Sequence, residues 1–453
     1  MLTETIAAIS TGGTNTGINI IRISGSKSKK IIDEIFTSKD KLDHQKIIFG
    51  KIKNNEKILD EVLVSCFKAP NSFTGEDVYE INCHGGRRIT LDILEIVLEK
   101  GARIAEPGEF SKRAFLNGKI DLSKAESIID IINATTKKQT NIAIDQLNGG
   151  VYDVIKEERD KLIELLAHIE VGIDYPEYDY EELTLESIEK MLESIKQSLI
   201  KYIDTYKEGK YIKSGINVAI LGGTNAGKSS LLNLLAKEDK AIVTDIEGTT
   251  RDIVEETVII NDVVLNIFDT AGIRYTEDVV EKIGIQKSKD IIKKVDLIIL
   301  VIDLVKGLTE NDEEILKLIN DNNKEYIICL NKMDVSCENV IKKDIQAPER
   351  VIQTSFLLNQ GIDTLKGKIL EIFNLGRIEE NQDLIIVNER HYYLLQKAKE
   401  HIEKAINISK QGMSMDIVEI DIKSATKHLG EIIGEEIEVD VINKIFEKFC
   451  LGK

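Results

Sequence analysis

The sequence predicts three domains: an α+β N-terminal domain, an α-helical bundle domain, and an α/β domain inserted into the bundle. The 453 residues suffice for about three domains at ~150 residues each. Short β-rich runs mix with a helical run in residues 1–118, and helical stripes fill residues 119–214 and 377–453. In residues 215–376 apolar strands alternate with helices, which is typical of a doubly wound parallel sheet. A linear string of domains is the alternative to an insertion.

Individual elements follow from local patterns. Residues 18–23, 62–67 and 78–81 are β-rich and bounded by turn-forming residues, and apolar residues in 87–100 recur at helical spacing. Ser123-Lys124-Ala125-Glu126 has the form of a capping box and predicts a helix start. A break at residues 172–176 separates two long helical stripes. Four further strands are predicted at residues 218–221, 264–268, 297–302 and 326–330.

Composition excludes several classes of protein. The five cysteines are scattered without a Cys-x-x-Cys pair, which argues against a disulfide framework and a structural zinc site. No apolar run approaches the ~18–20 residues that cross a bilayer, and the first residues lack the pattern of a secretory signal. We therefore expect a cytoplasmic protein without a membrane partner. The net charge of −18 has the wrong sign for indiscriminate nucleic-acid binding, so a polyanionic partner would need a local basic patch.

One motif predicts a phosphate-binding loop. Residues 222–229, Gly-Gly-Thr-Asn-Ala-Gly-Lys-Ser, follow a strand and open a helix. Backbone N–H groups of such a loop turn towards phosphates, and the helix N-terminus adds positive potential. Lys228 would reach the β- and γ-phosphates, and the Ser229 hydroxyl would bind Mg²⁺. The residues expected around the phosphates are Asn225, Ala226, Gly227, Lys228, Ser229 and Ser230.

Two later motifs predict that the nucleotide is GTP. Asp269-Thr270-Ala271-Gly272 ends a strand, which places a carboxylate near magnesium and a glycine N–H near the γ-phosphate. In Asn331-Lys332-Met333-Asp334, the Asp334 carboxylate can accept two hydrogen bonds from guanine, whereas adenine would leave it unpaired. Ile273 stands where many GTPases have a glutamine that orients water, and isoleucine cannot do so. Another group must therefore position the water, and another cation must stabilise the transition-state charge. Arg274 is one candidate for that cation.

Motifs along the whole chain resemble one family. Inside the α/β domain these are residues 227–233 and the run Asp245-Ile246-Glu247-Gly248-Thr249-Thr250-Arg251-Asp252. Outside it they are Phe-Thr-Gly-Glu-Asp at 73–77, which leads to His-Gly-Gly at 84–86, then residues 115–122, and the terminal Cys-Leu-Gly-Lys. Together they resemble the MnmE (TrmE) family of tRNA modification GTPases. The resemblance implies a tetrahydrofolate-binding and dimerisation domain at 1–118, a GTPase domain at 215–376, and a helical domain in two parts at 119–214 and 377–453.

The resemblance also implies partners and site residues. It implies a homodimer that works with the FAD-dependent MnmG in a heterotetramer, adding a carboxymethylaminomethyl-type group to the fifth carbon of the wobble uridine of certain tRNAs. It implies a site for formyl-tetrahydrofolate or a related reduced folate at Arg22, Glu80, Lys119 and Lys453. It implies a K⁺ ion at Asn225, Thr244, Ile246 and Thr249, with Thr250 joining Ser229 on Mg²⁺. Glu281 would position water, and the further GTP contacts would be Asp245, Glu247, Gly248, Ser355 and Phe356.

The family pattern has departures here. The loop at residues 11–17 lacks the usual prolines and arginine, and Ser355-Phe356 replaces the more usual Ser-Ala. Because of the first departure, the dimer contact of the folate domain should differ in detail from the family pattern. Because of the second, only fine contacts to the guanine base should differ.

Two other functions stay open on sequence alone. A ribosome-assembly GTPase acting as a binding switch would use the same GTPase motifs but would need neither a folate pocket nor a thiol. A folate-dependent one-carbon transferase with a regulatory GTPase would leave the helical domain unexplained. Cys450, the candidate catalytic thiol, could add to the sixth carbon of uridine, or the tail could merely close the folate pocket.

Overall fold

A computed structural model describes residues 4–12, 16–174, 185–238, 254–268, 291–335, 348–375 and 384–452. The chain divides into two compact units. The first comprises Met1–Ile129, Asp145–Glu193 and Glu400–Lys453, and the second comprises Asp130–Ile144 and Ser194–Lys399. No helix in the described ranges is long and apolar enough to span a membrane.

A seven-stranded sheet with three helices forms the N-terminal part of the first unit. The strands are β1 Ile6–Ile9, β2 Ile18–Ser24, β3 Phe36–Thr37, β4 Lys46–Asn54, β5 Lys57–Phe67, β6 Val78–His84 and β7 Arg103–Ile104. The helices are α1 Ser28–Ile35, α2 Arg87–Glu99 and α3 Glu109–Leu116. The sheet order is β3-β4-β5-β6-β2-β1-β7, antiparallel except for the β1–β7 pair.

Alternation along β2 decides which side chains reach the core of this sheet. Ile21 and Ile23 are fully buried against α1 and α2, because successive strand residues point to opposite faces. Arg22, between them, lies on the opposite face and pairs in register with Glu80 of β6. The sheet therefore presents a charged pair on the face opposite α1 and α2.

Four helices follow: α4 Leu122–Asn133, α5 Lys137–Leu147, α6 Gly150–Asp174 and α7 Leu185–Ser214. The predicted capping residue, Ser123, lies two residues after the actual one. Asp121 caps α4, since its carboxylate accepts from the Ser123 hydroxyl and from the Lys124 N–H at 2.9 Å. Aspartate at this position satisfies a backbone donor of the first turn directly. The predicted break at residues 172–176 extends outside the described residues.

A six-stranded sheet organises the second unit. Its strands are β8 Ile216–Leu221, β9 Val254–Ile260, β10 Val263–Phe268, β11 Leu297–Asp303, β12 Glu325–Asn331 and β13 Val351–Gln353. Its order is β13-β12-β11-β8-β10-β9, and the helices are α8 Lys228–Glu238, α9 Glu310–Asp321 and α10 Ile362–Ile372. The strand β11 is buried at every residue, as expected for a central parallel strand.

The sequence predicted a parallel sheet in the second unit, but the observed sheet is mixed. β9 runs antiparallel to β10 at the edge. The two strands are joined by Asn261 and Asp262, which both have positive φ (46° and 63°), the conformation of a tight hairpin turn. The chain then ends in three helices: α11 Glu389–Lys410, α12 Met415–Ile433 and α13 Val439–Phe446.

Candidate functional site

The predicted phosphate loop lies between β8 and α8. β8 ends at Leu221 and α8 begins at Lys228, so residues 222–227 form the turn. Gly227 has φ +114°, and a Cβ there would lie 2.3 Å from the Nδ2 of Asn331. Only glycine fits at this point. Asn225 also has positive φ, at 61°, and its side chain is exposed.

Lys228 lies across this loop. Its Nζ donates to the carbonyls of Gly222 and Gly223, each at 2.8 Å. Burial lowers the pKa of Lys228, and the negative charge of Asp312 opposes that shift. Ser229 and Ser230 are exposed in the first turn of α8, where backbone N–H groups have no partner within the helix. The geometry places one cation and two accessible hydroxyls at a helix N-terminus, which suits a phosphate chain.

Asn331 ties the phosphate loop to a second loop. It ends β12 with only 4% of its surface exposed. Its Nδ2 donates to the Ala226 carbonyl at 2.8 Å, and its Oδ1 accepts from the Phe356 N–H at 3.0 Å. Both ends of one amide are therefore used to fix the loops that would surround a nucleotide.

Asp334 and Ser355 meet at the position predicted for the base. The Ser355 hydroxyl donates to Asp334 Oδ1 at 2.5 Å, and Ser355 is fully buried while Asp334 is exposed. The second carboxylate oxygen makes no hydrogen bond within the described part of the chain. A held, accessible carboxylate can accept the paired N–H groups of guanine.

Asp303 pairs with Lys332 of the predicted base motif and was not among the predicted site residues. It ends β11 and is 6% exposed, and its Oδ2 accepts from Lys332 Nζ at 2.6 Å. Burial alone would raise the pKa of Asp303, but the hydrogen bonds from Lys332 and the Val305 N–H lower it overall. Its position was a usable signal, because an acidic residue that ends a buried parallel strand lies at the ligand-binding edge of such sheets.

Several predicted site residues lie outside the described residues. They are Thr244, Asp245, Ile246, Glu247, Gly248, Thr249 and Thr250, then Asp269, Thr270, Ala271 and Gly272, and finally Glu281 and Lys453. Their roles stay predictions.

In the first unit, the structure brings together two of the predicted folate residues. Arg22 Nε donates to Glu80 Oε1 at 2.8 Å, and the guanidinium lies 5.9 Å from the ring centre of Phe73 and 5.6 Å from that of Phe110. Lys119 donates to the Pro70 carbonyl at 3.0 Å, in the same loop that carries Phe73. A cation, a carboxylate and the exposed Phe73 ring suit a flat, charged ligand, whereas Phe110 is fully buried.

The C-terminal tail reaches the same arginine. The Gly452 carbonyl accepts from Arg22 Nη1 at 3.3 Å and from the Ser10 hydroxyl at 3.1 Å. The Gly108 N–H donates to the Cys450 carbonyl at 3.3 Å, and Cys450 itself is exposed.

Comparison with known proteins covers this chain from end to end. One family model, described as the N-terminus of the GTP-binding protein TrmE, matches residues 5–119, and another, described as the MnmE helical domain, matches residues 122–450. A relative from Acetivibrio thermocellus named tRNA modification GTPase MnmE is 47% identical and covers 99% of both chains. The protein of the same name from Clostridioides difficile is 45% identical over 99% of both chains. The chain belongs to the MnmE family of tRNA modification GTPases.

Membership confirms the predicted fold class and the prediction of a GTP-hydrolysing enzyme. It implies that the chain binds GTP together with a divalent metal ion. Among solved structures, Era from Aquifex aeolicus bound to GDP and AlF4⁻ is 26% identical over 41% of this chain and 66% of its own, with a TM-score of 0.27. That score is too low to support a further inference. The domain boundaries stay predictions.

Proposed function

We propose that this chain uses GTP hydrolysis to drive tRNA modification, adding a carboxymethylaminomethyl-type group to the fifth carbon of the wobble uridine with the flavoprotein MnmG. One observation carries the proposal: the Ser355–Asp334 hydrogen bond and the Arg22–Glu80 ion pair occur in one chain whose relatives, named tRNA modification GTPases, match 99% of its length. A tRNA substrate would place the reaction in the cytoplasm.

The nucleotide site would place positive charge against the phosphates of GTP. Lys228 would leave the Gly222 and Gly223 carbonyls for the β- and γ-phosphates, which offer a stronger acceptor for its ammonium. The exposed Ser229 hydroxyl fits a Mg²⁺ ligand, with Thr250 as its expected partner. Mg²⁺ would neutralise charge that develops on the phosphates. The remaining expected GTP contacts are Asn225–Ser230, 244–250, 269–272, Asn331, Lys332, Asp334, Ser355 and Phe356.

Hydrolysis would depend on K⁺ and on Glu281. Ile273 cannot orient water, so Glu281 is proposed to do so. K⁺ would be held by Asn225, whose exposed side chain and left-handed backbone fit a ligand role, with Thr244, Ile246 and Thr249. A cation there supplies the positive charge that an arginine supplies in other GTPases.

The first unit would bind formyl-tetrahydrofolate or a related reduced folate. The Glu80 carboxylate can accept N–H groups of the pterin ring, while Arg22 and Lys119 can pair with the glutamate carboxylates. Lys453 is the fourth proposed contact. The exposed Phe73 ring beside Arg22 adds apolar surface for a flat ligand, while the buried Phe110 ring packs against the guanidinium from within.

A homodimer is proposed through the N-terminal sheet. Ile47, Phe49 and Leu63 are 64%, 60% and 44% exposed on neighbouring strands β4 and β5. Phe49 and Leu63 are cross-strand partners, so they form one apolar patch. Exposed apolar patches mark protein–protein contacts. MnmG is the second proposed partner, which would assemble with the homodimer into a heterotetramer.

A reconstituted reaction tests the proposal. Purified chain, MnmG, GTP, a reduced folate, glycine as the source of the carboxymethylamino part, NADH as the two-electron reductant and unmodified tRNA should yield modified wobble uridine by nucleoside mass spectrometry. GTP turnover should be faster in K⁺ than in Na⁺ at equal ionic strength. Equal turnover in the two salts would rule out the cation role. Loss of turnover in Arg274→Ala at saturating K⁺ would give that arginine the role instead.

A further inference from the structure

The C-terminal tail is fastened to the N-terminal sheet through its backbone. The Cys450 carbonyl accepts from the Gly108 N–H at 3.3 Å, and the Gly452 carbonyl accepts from the Ser10 hydroxyl at 3.1 Å. Just before the tail, Phe446 and Phe449 are 1% and 5% exposed, with ring centres 5.0 Å apart. The buried rings anchor the segment, and the two carbonyls set where its last residues lie.

Gly452 occupies a position at which any side chain would be strained. Its φ is +87°, which L side chains rarely adopt. A Cβ there would lie 2.5 Å from the Ile9 carbonyl oxygen and 2.9 Å from the Ser10 Cα. Both are backbone atoms of the sheet, so they cannot move aside as a flexible side chain would. Any side chain at this position must therefore lift the Gly452 carbonyl away from β1.

The same carbonyl helps to fix Arg22. A guanidinium offers five N–H donors in one plane. Glu80 engages the Nε edge at 2.8 Å, and the Gly452 carbonyl engages Nη1 at 3.3 Å. Within the described residues, Nη2 makes no hydrogen bond. These two contacts orient the guanidinium and leave Nη2 for a ligand.

We infer that Gly452 and Ser10 are positioning residues of the pocket at Arg22: they hold the Gly452 carbonyl against the guanidinium so that Nη2 meets a carboxylate of the ligand. This inference rests on the proposed folate binding. It assigns the tail a role through its backbone, independent of the Cys450 thiol. It also explains why a glycine stands where the tail contacts β1.

Three variants test the inference in the full-length protein. Binding of 5-formyl-tetrahydrofolate is measured by calorimetry, and tail docking is measured by hydrogen exchange of the peptide that contains the Gly108 amide. Gly452→Ala should raise the exchange rate severalfold and weaken folate binding at least tenfold, because a hydrogen bond to a charged group is lost. Ser10→Ala, which leaves the backbone unstrained, should weaken binding about threefold. Leu451→Ala, the control, changes a side chain that is 49% exposed and should match the wild type within about twofold.

The outcomes separate this inference from the folate proposal. GTP affinity, which depends on residues of the second unit, should be unchanged in all three variants and shows that this unit folds. The circular dichroism spectrum of each variant should match that of the wild type, which shows that the first unit folds as well. If the wild type binds no folate, the proposed ligand is wrong. If the wild type binds folate and Gly452→Ala binds it equally well, the positioning role is wrong. If the Gly108 amide hydrogen exchanges at the same rate in Gly452→Ala as in the wild type, Gly452 does not hold the tail against the sheet.

Discussion

Replacing Asn331 with alanine should disconnect the phosphate loop from the loop that carries Ser355. The amide donates to the Ala226 carbonyl at 2.8 Å and accepts from the Phe356 N–H at 3.0 Å, in a position that is 4% exposed. Each lost hydrogen bond costs about 1 kcal/mol net, and a buried partner left without a bond costs about 1–3 kcal/mol. We expect a total near 3 kcal/mol, which corresponds to about a 150-fold weaker GTP affinity if the loop must be reordered on binding.

Titration with a fluorescent GTP analogue measures this loss, and urea unfolding without nucleotide measures the stability change. Asn331→Asp is the matched comparison. It keeps an acceptor for the Phe356 N–H but brings an oxygen to 2.8 Å from the Ala226 carbonyl, so it should destabilise the nucleotide-free protein as well. If Asn331→Ala binds GTP within about twofold of wild type, the Asn331 amide does not hold the two nucleotide loops in place. Equal stability of Asn331→Asp and wild type would show that the bond to Ala226 contributes nothing.

Three other predictions address the base, the tail thiol and pH. Asp334→Asn should weaken GTP binding about 100-fold or more, because hydrogen bonds to a carboxylate are each worth about 1.5–3 kcal/mol, and equal binding by the mutant would overturn the guanine site. Cys450→Ser should keep GTP hydrolysis and folate binding but lose tRNA modification, and modification at the wild-type rate would make the thiol a bystander. Glu109 is 2% exposed; burial would raise its pKa, but Arg103, the Glu106 N–H and Arg113 lower it from 4.5 to about 2. Since the folded-state pKa is lowered, the stabilisation is complete well above pH 4.5 and is lost as pH falls towards 2: about 3 kcal/mol at pH 7 and about 1 kcal/mol at pH 3. The difference in unfolding free energy between wild type and Glu109→Gln should shrink accordingly, and a pH-independent difference would contradict it.

Local patterns predicted much of the fold. The strands at residues 18–23, 78–81 and 297–302 and the helix at 87–100 occur within a few residues of their predicted bounds, because alternation and helical spacing are properties of short segments. The antiparallel strand β9 was missed although Asn261-Asp262 between β-branched runs is a hairpin signal.

Contacts between distant segments could not be predicted. The Ser10 hydroxyl and the Gly452 carbonyl are 442 residues apart, and no spacing rule connects them. The same holds for the Asn331 amide, which joins Ala226 to Phe356 across 105 and 25 residues of sequence. The phosphate-binding loop could be predicted because its glycines, lysine and serine form a turn and a helix start within eight consecutive residues.

Nucleoside mass spectrometry of tRNA from living cells tests the central claim most directly. A bacterial strain that lacks its own family member is supplied with this chain or with its Lys228→Ala variant, and the wobble uridines are analysed. The wild-type chain should restore the carboxymethylaminomethyl-type modification, and the variant, which lacks the phosphate-binding ammonium, should not. Restoration by Lys228→Ala at the wild-type level would contradict the coupling of GTP hydrolysis to modification, and failure of the wild-type chain to restore it would contradict the proposed function.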